Sequence, residues 1–258
     1  ELRDYCNSLS ITFFTTPYDL DMVDKVDSFV PAYKIGSGDV AWNEMLEKIG
    51  SKGKPVLFAS GAATIAEVLN AYERLASLNN NILLMQCNTN YTASVKNFDY
   101  INLNVLKTYK ALFPDAVLGL SDHTHGHETV LGAVTLGARA IEKHFTDDTS
   151  RPGPDHPFSM DPKTWSAMVQ STRLLERSLG RTLKKVEDNE KDTVILQRRA
   201  IRLKNTLKAG EILERDMIEF QRPCPEEAIK PNDVNFVLGR ALKREVLEGD
   251  YLKIDDFR

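Results

Sequence analysis

Residues 117–146 read VLGLSDHTHGHETVLGAVTLGARAIEKHFT. An apolar run ends in Gly119-Leu-Ser-Asp-His-Thr, an amphipathic stretch follows over 128–136, and a second run ends in Ile141-Glu-Lys-His-Phe-Thr. This pattern of strand, helix and strand is one βα unit and the start of the next. In a parallel sheet the carboxyl ends of neighbouring strands lie side by side, so His123 and His144 come within reach of one point. Imidazole suits Zn, Mn, Fe or Co, and two protein ligands leave positions open for water and substrate. The plainer alternative is two histidines hydrogen-bonded independently at strand ends. His125, His127 and His156 fall in loops, where solvation or support is the default.

The alternation extends upstream. Strand-like runs at 11–15, 32–35, 56–60, 82–87, 117–120 and 140–144 alternate with amphipathic segments at 19–29, 42–49, 64–76, 100–112 and 128–136, and a helix at 162–179 closes the series. Six units suit an open doubly wound sheet, whereas eight close a TIM-type (β/α)8 barrel. No GxGxxG follows the first strand, so the dinucleotide-binding version has no support. Polar residues sit just after all six strands, which favours the barrel. On that reading two βα units precede Glu1. The chain opens on Glu1 rather than Met, with a strand following almost at once, as in a trimmed or incompletely represented product. The barrel part is placed at 1–180 and a charged linker at 181–192. A small, mostly β domain follows at 193–258, with strand-like pieces at 200–203, 218–221 and 241–246 and two similar turns, Leu207-Lys-Ala-Gly-Glu and Val246-Leu-Glu-Gly-Asp.

Composition excludes several classes. The 258 residues are 42% hydrophobic and 27% charged, with a net charge of −4, which gives no electrostatic footprint for nucleic acid or an anionic membrane. The three cysteines have no CxxC spacing, so a disulfide scaffold is excluded and a reducing compartment is expected. No apolar run is long enough to cross a bilayer and no signal-peptide pattern opens the chain, so a cytoplasmic location is expected.

Further strand ends carry groups that bind anions. Tyr33-Lys-Ile-Gly-Ser-Gly-Asp offers an ammonium and free backbone amides, which suit a phosphate or carboxylate. Gly-Ser-Gly alone is weak, since many such turns simply end a strand. Ser60-Gly61 and Thr15-Thr16-Pro17 add two more small-residue turns, and several converging on one rim make an anion pocket. Arg151-Pro-Gly-Pro-Asp-His-Pro would hold Asp155 over the mouth to accept from sugar hydroxyls; otherwise it is a plain proline-rich exit.

Taken together, TPYD at 16–19, YKIGSGD at 33–39, GLSDHT at 119–124, EKHFT at 142–146 and RPGPDH at 151–156 resemble the sialic acid synthase family. The C-terminal part, with QRP at 221–223 and the paired turns, resembles that family's antifreeze-like domain. The resemblance implies condensation of phosphoenolpyruvate with an N-acyl mannosamine-type sugar to a nine-carbon acid and phosphate. It implies Mn2+, or another divalent ion such as Mg2+ or Co2+, on His123 and His144. Thr16, Lys34, Ser37, Ser60, Thr89 and Ser121 match the phosphoenolpyruvate site. Glu142 matches a carboxylate beside the metal, and Asp155 the carboxylate that binds the sugar, both with catalytic roles. Asp39, Tyr91 and Arg222 match further sugar contacts, Arg222 reaching the acyl group. A domain-swapped homodimer is implied, the small domain capping the partner's barrel.

The sequence also departs from the family. Asp39 stands where relatives often carry Glu, and Ala59-Ser60-Gly61 replaces Ser-Thr-Gly or Ser-Ser-Gly, losing one hydroxyl or passing its role to Ser60. Cys87-Asn-Thr-Asn-Tyr-Thr replaces Cys-Thr-Ser-x-Tyr-Pro, and Cys-Pro-Glu-Glu-Ala-Ile follows Arg222 in place of a Gly-rich form. Strands carrying a catalytic glutamate in the family are expected upstream of Glu1. Two alternatives stand beside this reading. One is a related phosphoenolpyruvate-dependent synthase acting on a pentose or tetrose phosphate, against which the antifreeze-like tail and acidic balance argue. The other is a non-catalytic sugar-binding or assembly protein built on a truncated barrel.

Overall fold

Short apolar runs buried on both faces are what a parallel sheet demands of its strands. Five runs are strands in the computed structural model, which describes residues 1–258, four of them largely buried and the last, Ala140–Lys143, mostly half-buried. They are β1 (Tyr33–Ile35), β2 (Val56–Ala59), β3 (Ile82–Cys87), β4 (Val117–Asp122) and β5 (Ala140–Lys143). All neighbours pair in parallel, in the order β1-β2-β3-β4-β5. A doubly wound sheet reverses direction at a switch point. This sheet does not, and it forms a curled half-barrel wall.

The helices lie between and after the strands: α1 (Leu2–Ser8), α2 (Leu20–Asp27), α3 (Asn43–Gly50), α4 (Ile65–Ala76), α5 (Val105–Leu112), α6 (Glu128–Thr135) and α7 (Pro162–Leu179). Their starts follow capping chemistry. The Asp19 side chain accepts from Met22 N at 2.7 Å to open α2. Thr64 and Glu67 form a reciprocal capping box at α4, and Asp161 and Thr164 form another at α7 with Pro162 in the first turn. The core of this unit, Glu1–Gly180, packs Tyr33, Phe58, Leu84 and Leu106 with no more than 0% exposure between sheet and helices. Each such side chain contributes about 1.5–3 kcal/mol of burial.

Three expectations are corrected here. The run at 11–15 is no strand: only Thr15 bridges Tyr33, while Ile11 and Phe14 stay 56% and 39% exposed at the edge of the sheet. A seven-residue helix, α1, occupies the stretch before it, where no element was expected. The segment at 100–112 is not one helix, because Asn102 adopts φ +49; a 3-10 turn at Val95–Tyr100 precedes it and α5 follows.

The second unit, Arg181–Arg258, has its own core around Ile201, Leu203, Leu213, Leu242 and Leu252, all 0% exposed. Residues 181–192, read as linker, include a 3-10 turn at Asp188–Glu190 and the start of α8 (Lys191–Gln197). The strands β6 (Ala200–Leu203) and β7 (Ile218–Gln221) pair antiparallel. The two similar turns face each other: Leu207 and Val246 exchange both backbone hydrogen bonds at 3.0 Å. Gly210 and Gly249 supply the positive φ (+93 and +80) that turns the chain after each. The piece at 241–246 is no continuous strand; it pairs only through isolated bridges at Ala241, Leu242 and Val246. No helix of the chain is long and apolar enough to cross a membrane.

Candidate active site

Alternation along each strand decides which side chains can meet. On β4, Leu118 and Leu120 join the core against the helices, so Gly119, Ser121 and then His123 face the opposite side. On β5 the partners follow the same phase: Ser121 pairs with Glu142 in the register, and His144 comes two residues later. Lys34 of β1 lies between Tyr33 and Ile35, which belong to the helix-facing core, and so joins Ser121 and Glu142.

These side chains converge. Lys34 Nζ lies 3.1 Å from Glu142 Oε1 and 2.9 Å from Oε2, and Ser121 Oγ donates to Oε1 at 2.8 Å. The His123 and His144 rings are 5.0 Å apart by centroid. Tyr91 stands 4.6 Å from the His123 ring and 5.8 Å from that of His144, and Phe158 closes the cluster 5.0 Å from His144. Asp155 Oδ2 lies 3.4 Å from His144 Nδ1. Burial holds both imidazoles below the ordinary histidine value, and for His144 the neighbouring His123 adds to it. Both are therefore neutral, ligand-competent imidazoles near pH 7.

A second cluster adjoins the first. Gly61 N donates to Ser37 Oγ at 3.0 Å. A β-carbon at Gly61 would meet Thr89 Oγ1 at 1.8 Å and Ser37 Oγ at 2.9 Å, so glycine is what lets these hydroxyls approach. Cys87 Sγ lies 3.5 Å from Thr89 Oγ1 and 3.9 Å from His123 Nδ1, linking the two clusters.

Other expected residues are placed elsewhere. Ser60 continues the phase of Val56 and Phe58 and so faces the helices; its hydroxyl donates to Met85 O at 2.9 Å and accepts from Tyr109 at 2.8 Å. Thr16 lines a cleft with Phe13, Tyr18 and Asp19 and makes no hydrogen bond to Lys34 or Glu142. Asp39 is half-buried with no side-chain partner, and burial pushes its carboxyl up. Arg222 belongs to the second unit, where its Nε donates to Gln197 O at 2.6 Å. His125 and His156 bond Ala93 O at 2.8 Å and Thr146 Oγ1 at 2.6 Å. Gly61 was read from the sequence as part of the Ser60-Gly61 turn and Cys87 as the head of a divergent stretch, and strand phase counted from Val56 and Ile82 puts both on the rim; Phe158 was not singled out.

The donor set fits a divalent cation held at an open site. His123 Nδ1 faces the Asn88 carbonyl at 3.1 Å and His144 Nδ1 faces Asp155, which leaves both Nε2 atoms without a hydrogen bond. An imidazole held by an oxygen at one nitrogen and free at the other is the usual arrangement of a metal ligand. No three His, Cys, Asp or Glu side chains are grouped so as to hold a metal ion, so the protein offers only the two imidazoles. Two imidazoles would leave the remaining positions to water and substrate.

Residues 1–184 match the model of the NeuB family, and residues 198–258 match the SAF domain. The chain belongs to the NeuB family. It is 38% identical to an uncharacterized protein of Methanocaldococcus jannaschii over 99% of this chain and 75% of that one. It is 36% identical to the N,N'-diacetyllegionaminic acid synthase of Legionella pneumophila over 97% of this chain and 70% of that one. Among solved structures it is similar to the N-acetylneuraminic acid synthetase of Leptospira borgpetersenii, with a TM-score of 0.68 and 28% identity, covering 75% of this chain and 67% of that one. Further relatives carry the names N-acetylneuraminate-9-phosphate synthase, at 31% identity in Homo sapiens, and pseudaminic acid synthase, at 29% in Campylobacter jejuni.

Proposed function

We propose that this NeuB-family chain is part of a phosphoenolpyruvate-dependent synthase of nine-carbon acids. The supporting observation is the convergence of a buried cation, Lys34, and the hydroxyls of Ser121, Ser37 and Thr89 on the same rim as two neutral imidazoles. In this reading the half-barrel is a section of a (β/α)8 barrel, and the SAF domain of one protomer caps the barrel of its partner.

The reaction joins the methylene carbon of phosphoenolpyruvate to the aldehyde carbon of an N-acyl mannosamine-type sugar. Water adds at the enol carbon and phosphate leaves. Lys34, Ser121 and Ser37 hold the carboxylate and phosphate oxygens, with Gly61 N and Thr89 beside them, so that charge developing on these groups meets donors already in place. Thr16 stays in its own cleft beside the edge of the sheet, and Ser60 supports the β2 end from behind. Asp155 and Asp39 accept hydrogen bonds from the sugar hydroxyls, Tyr91 packs along the sugar face, and a partner's Arg222 reaches the acyl group. His123 and His144 would hold Mn2+, or Mg2+ or Co2+ in its place, and Glu142 stands beside them. Such an ion, when bound, polarises the aldehyde oxygen and lowers the pKa of bound water.

Likeness to the legionaminic acid synthases makes diacetamido-dideoxy sugars the first acceptors to try, ahead of N-acetylmannosamine. The test is phosphate release from phosphoenolpyruvate with Mn2+ and each sugar in turn. Release with one of them is expected; no release with any of them overturns the proposal. His123→Ala should remove both turnover and Mn2+ binding, and retained binding would refute its ligand role.

A further inference from the structure

Behind the two histidines, on the helix-facing side of the same strands, lies a charged pair that the proposed reaction does not use. The Asp122 and Lys143 side chains are 0% and 1% exposed, and Lys143 Nζ sits 2.5 Å from Asp122 Oδ2. Asp122 also accepts from Thr124 Oγ1 at 2.9 Å and from Thr129 Oγ1 of α6 at 2.7 Å, while Lys143 donates to the Thr124 carbonyl at 2.7 Å. The two residues are direct partners in the β4–β5 register. Asp122 therefore stands between Ser121 and His123, and Lys143 between Glu142 and His144.

Stability alone is a poor account of this pair. Taking both ions out of water costs several kcal/mol each, and an apolar pair of similar volume commonly stabilises as well or better. The same faces of these strands are otherwise apolar, with Leu118, Leu120 and Ile141 packed into the cores there. What a hydrogen-bonded ion pair adds over apolar packing is direction: it fixes the register of the two strand ends and the rotation of each backbone.

We propose that Asp122 and Lys143, with Thr124 and Thr129, form a positioning device that clamps the ends of β4 and β5 from behind and sets the spacing of His123 and His144. They touch neither substrate nor cation. The consequence for metal affinity rests on the metal reading of the site given above, whereas the ring spacing itself does not.

The double variant Asp122→Leu/Lys143→Met tests this, because both charges leave together and no uncompensated ion stays buried. Tyr91 and Phe158 surround the two imidazoles, so ring currents displace the His123 and His144 ring-proton resonances in the NMR spectrum of the full chain. His123→Gln and His144→Gln assign them. The double variant is expected to melt cooperatively with these resonances moved toward free-histidine positions. Its Mn2+ affinity by isothermal titration should fall by about tenfold or more, as when an outer partner of a metal ligand is lost. Resonances unmoved in a folded variant overturn the inference. If the wild-type chain binds no Mn2+, the metal reading fails and the resonances alone decide the clamp. Should the double variant not fold, Thr129→Val removes one hydrogen bond to Asp122 without changing charge; a smaller displacement in the same sense is expected, and none overturns the inference.

Discussion

Glu142 engages two donors at once, the Lys34 ammonium and the Ser121 hydroxyl, and both are groups assigned to an incoming anion. An anion entering that space must displace the carboxylate or share Lys34 with it. Glu142→Gln is therefore expected to tighten the binding of phosphoenolpyruvate on the order of threefold to tenfold, a modest gain because Glu142 is part-exposed and its attraction is screened. Isothermal titration measures it, and weaker binding would show that Glu142 aids the anion instead of competing with it. The histidines carry a pH prediction. Burial holds both below the unfolded value, so the stability they contribute is fully present above about pH 6.5 and is lost as pH falls through their folded values. The melting temperature should accordingly fall on acidification below pH 6.5, and His123→Gln should flatten that dependence.

At the scale of elements, the turn from β2 into α4 is the tightest point of the site, since Gly61 is packed against Thr89 and Ser37. Gly61→Ala should cost about 1–3 kcal/mol through overpacking and weaken anion binding together with stability. A thermal melt and a phosphate titration check both, and an unchanged pair of values would refute the close packing. The strands β1 to β5 were readable as apolar runs between turn signals. The run at 11–15 has the composition of a strand but meets a neighbour only at Thr15, and composition does not reveal which strand stands at an edge. Ser60 misled for a related reason. It follows β2 directly, and whether a residue at a strand end faces the rim or the helices depends on phase, which Val56 and Phe58 set by packing into the helix-facing core. His123, His144, Lys34, Ser121 and Glu142 all stand on the rim phase of their strands, whereas the Asp122–Lys143 pair stands on the other.

At the scale of the whole molecule, the two units have separate cores. Residues 181–258 expressed alone should melt cooperatively, though with marginal stability, as expected for a domain of that size. A broad, non-cooperative melt would show that their core needs the rest of the chain. The half-barrel has a different property. Each strand pairs with the next in sequence and with no later one, so every contact that builds the wall closes a short loop of chain. A ribosome releasing this polypeptide would deliver β1 to β3 in a state already able to pair, before the histidine-bearing strands exist. The last parts of the wall to be synthesised are then β4 and β5, so His123 and His144 can meet only after the strands that carry Lys34, Ser37 and Gly61 are in place.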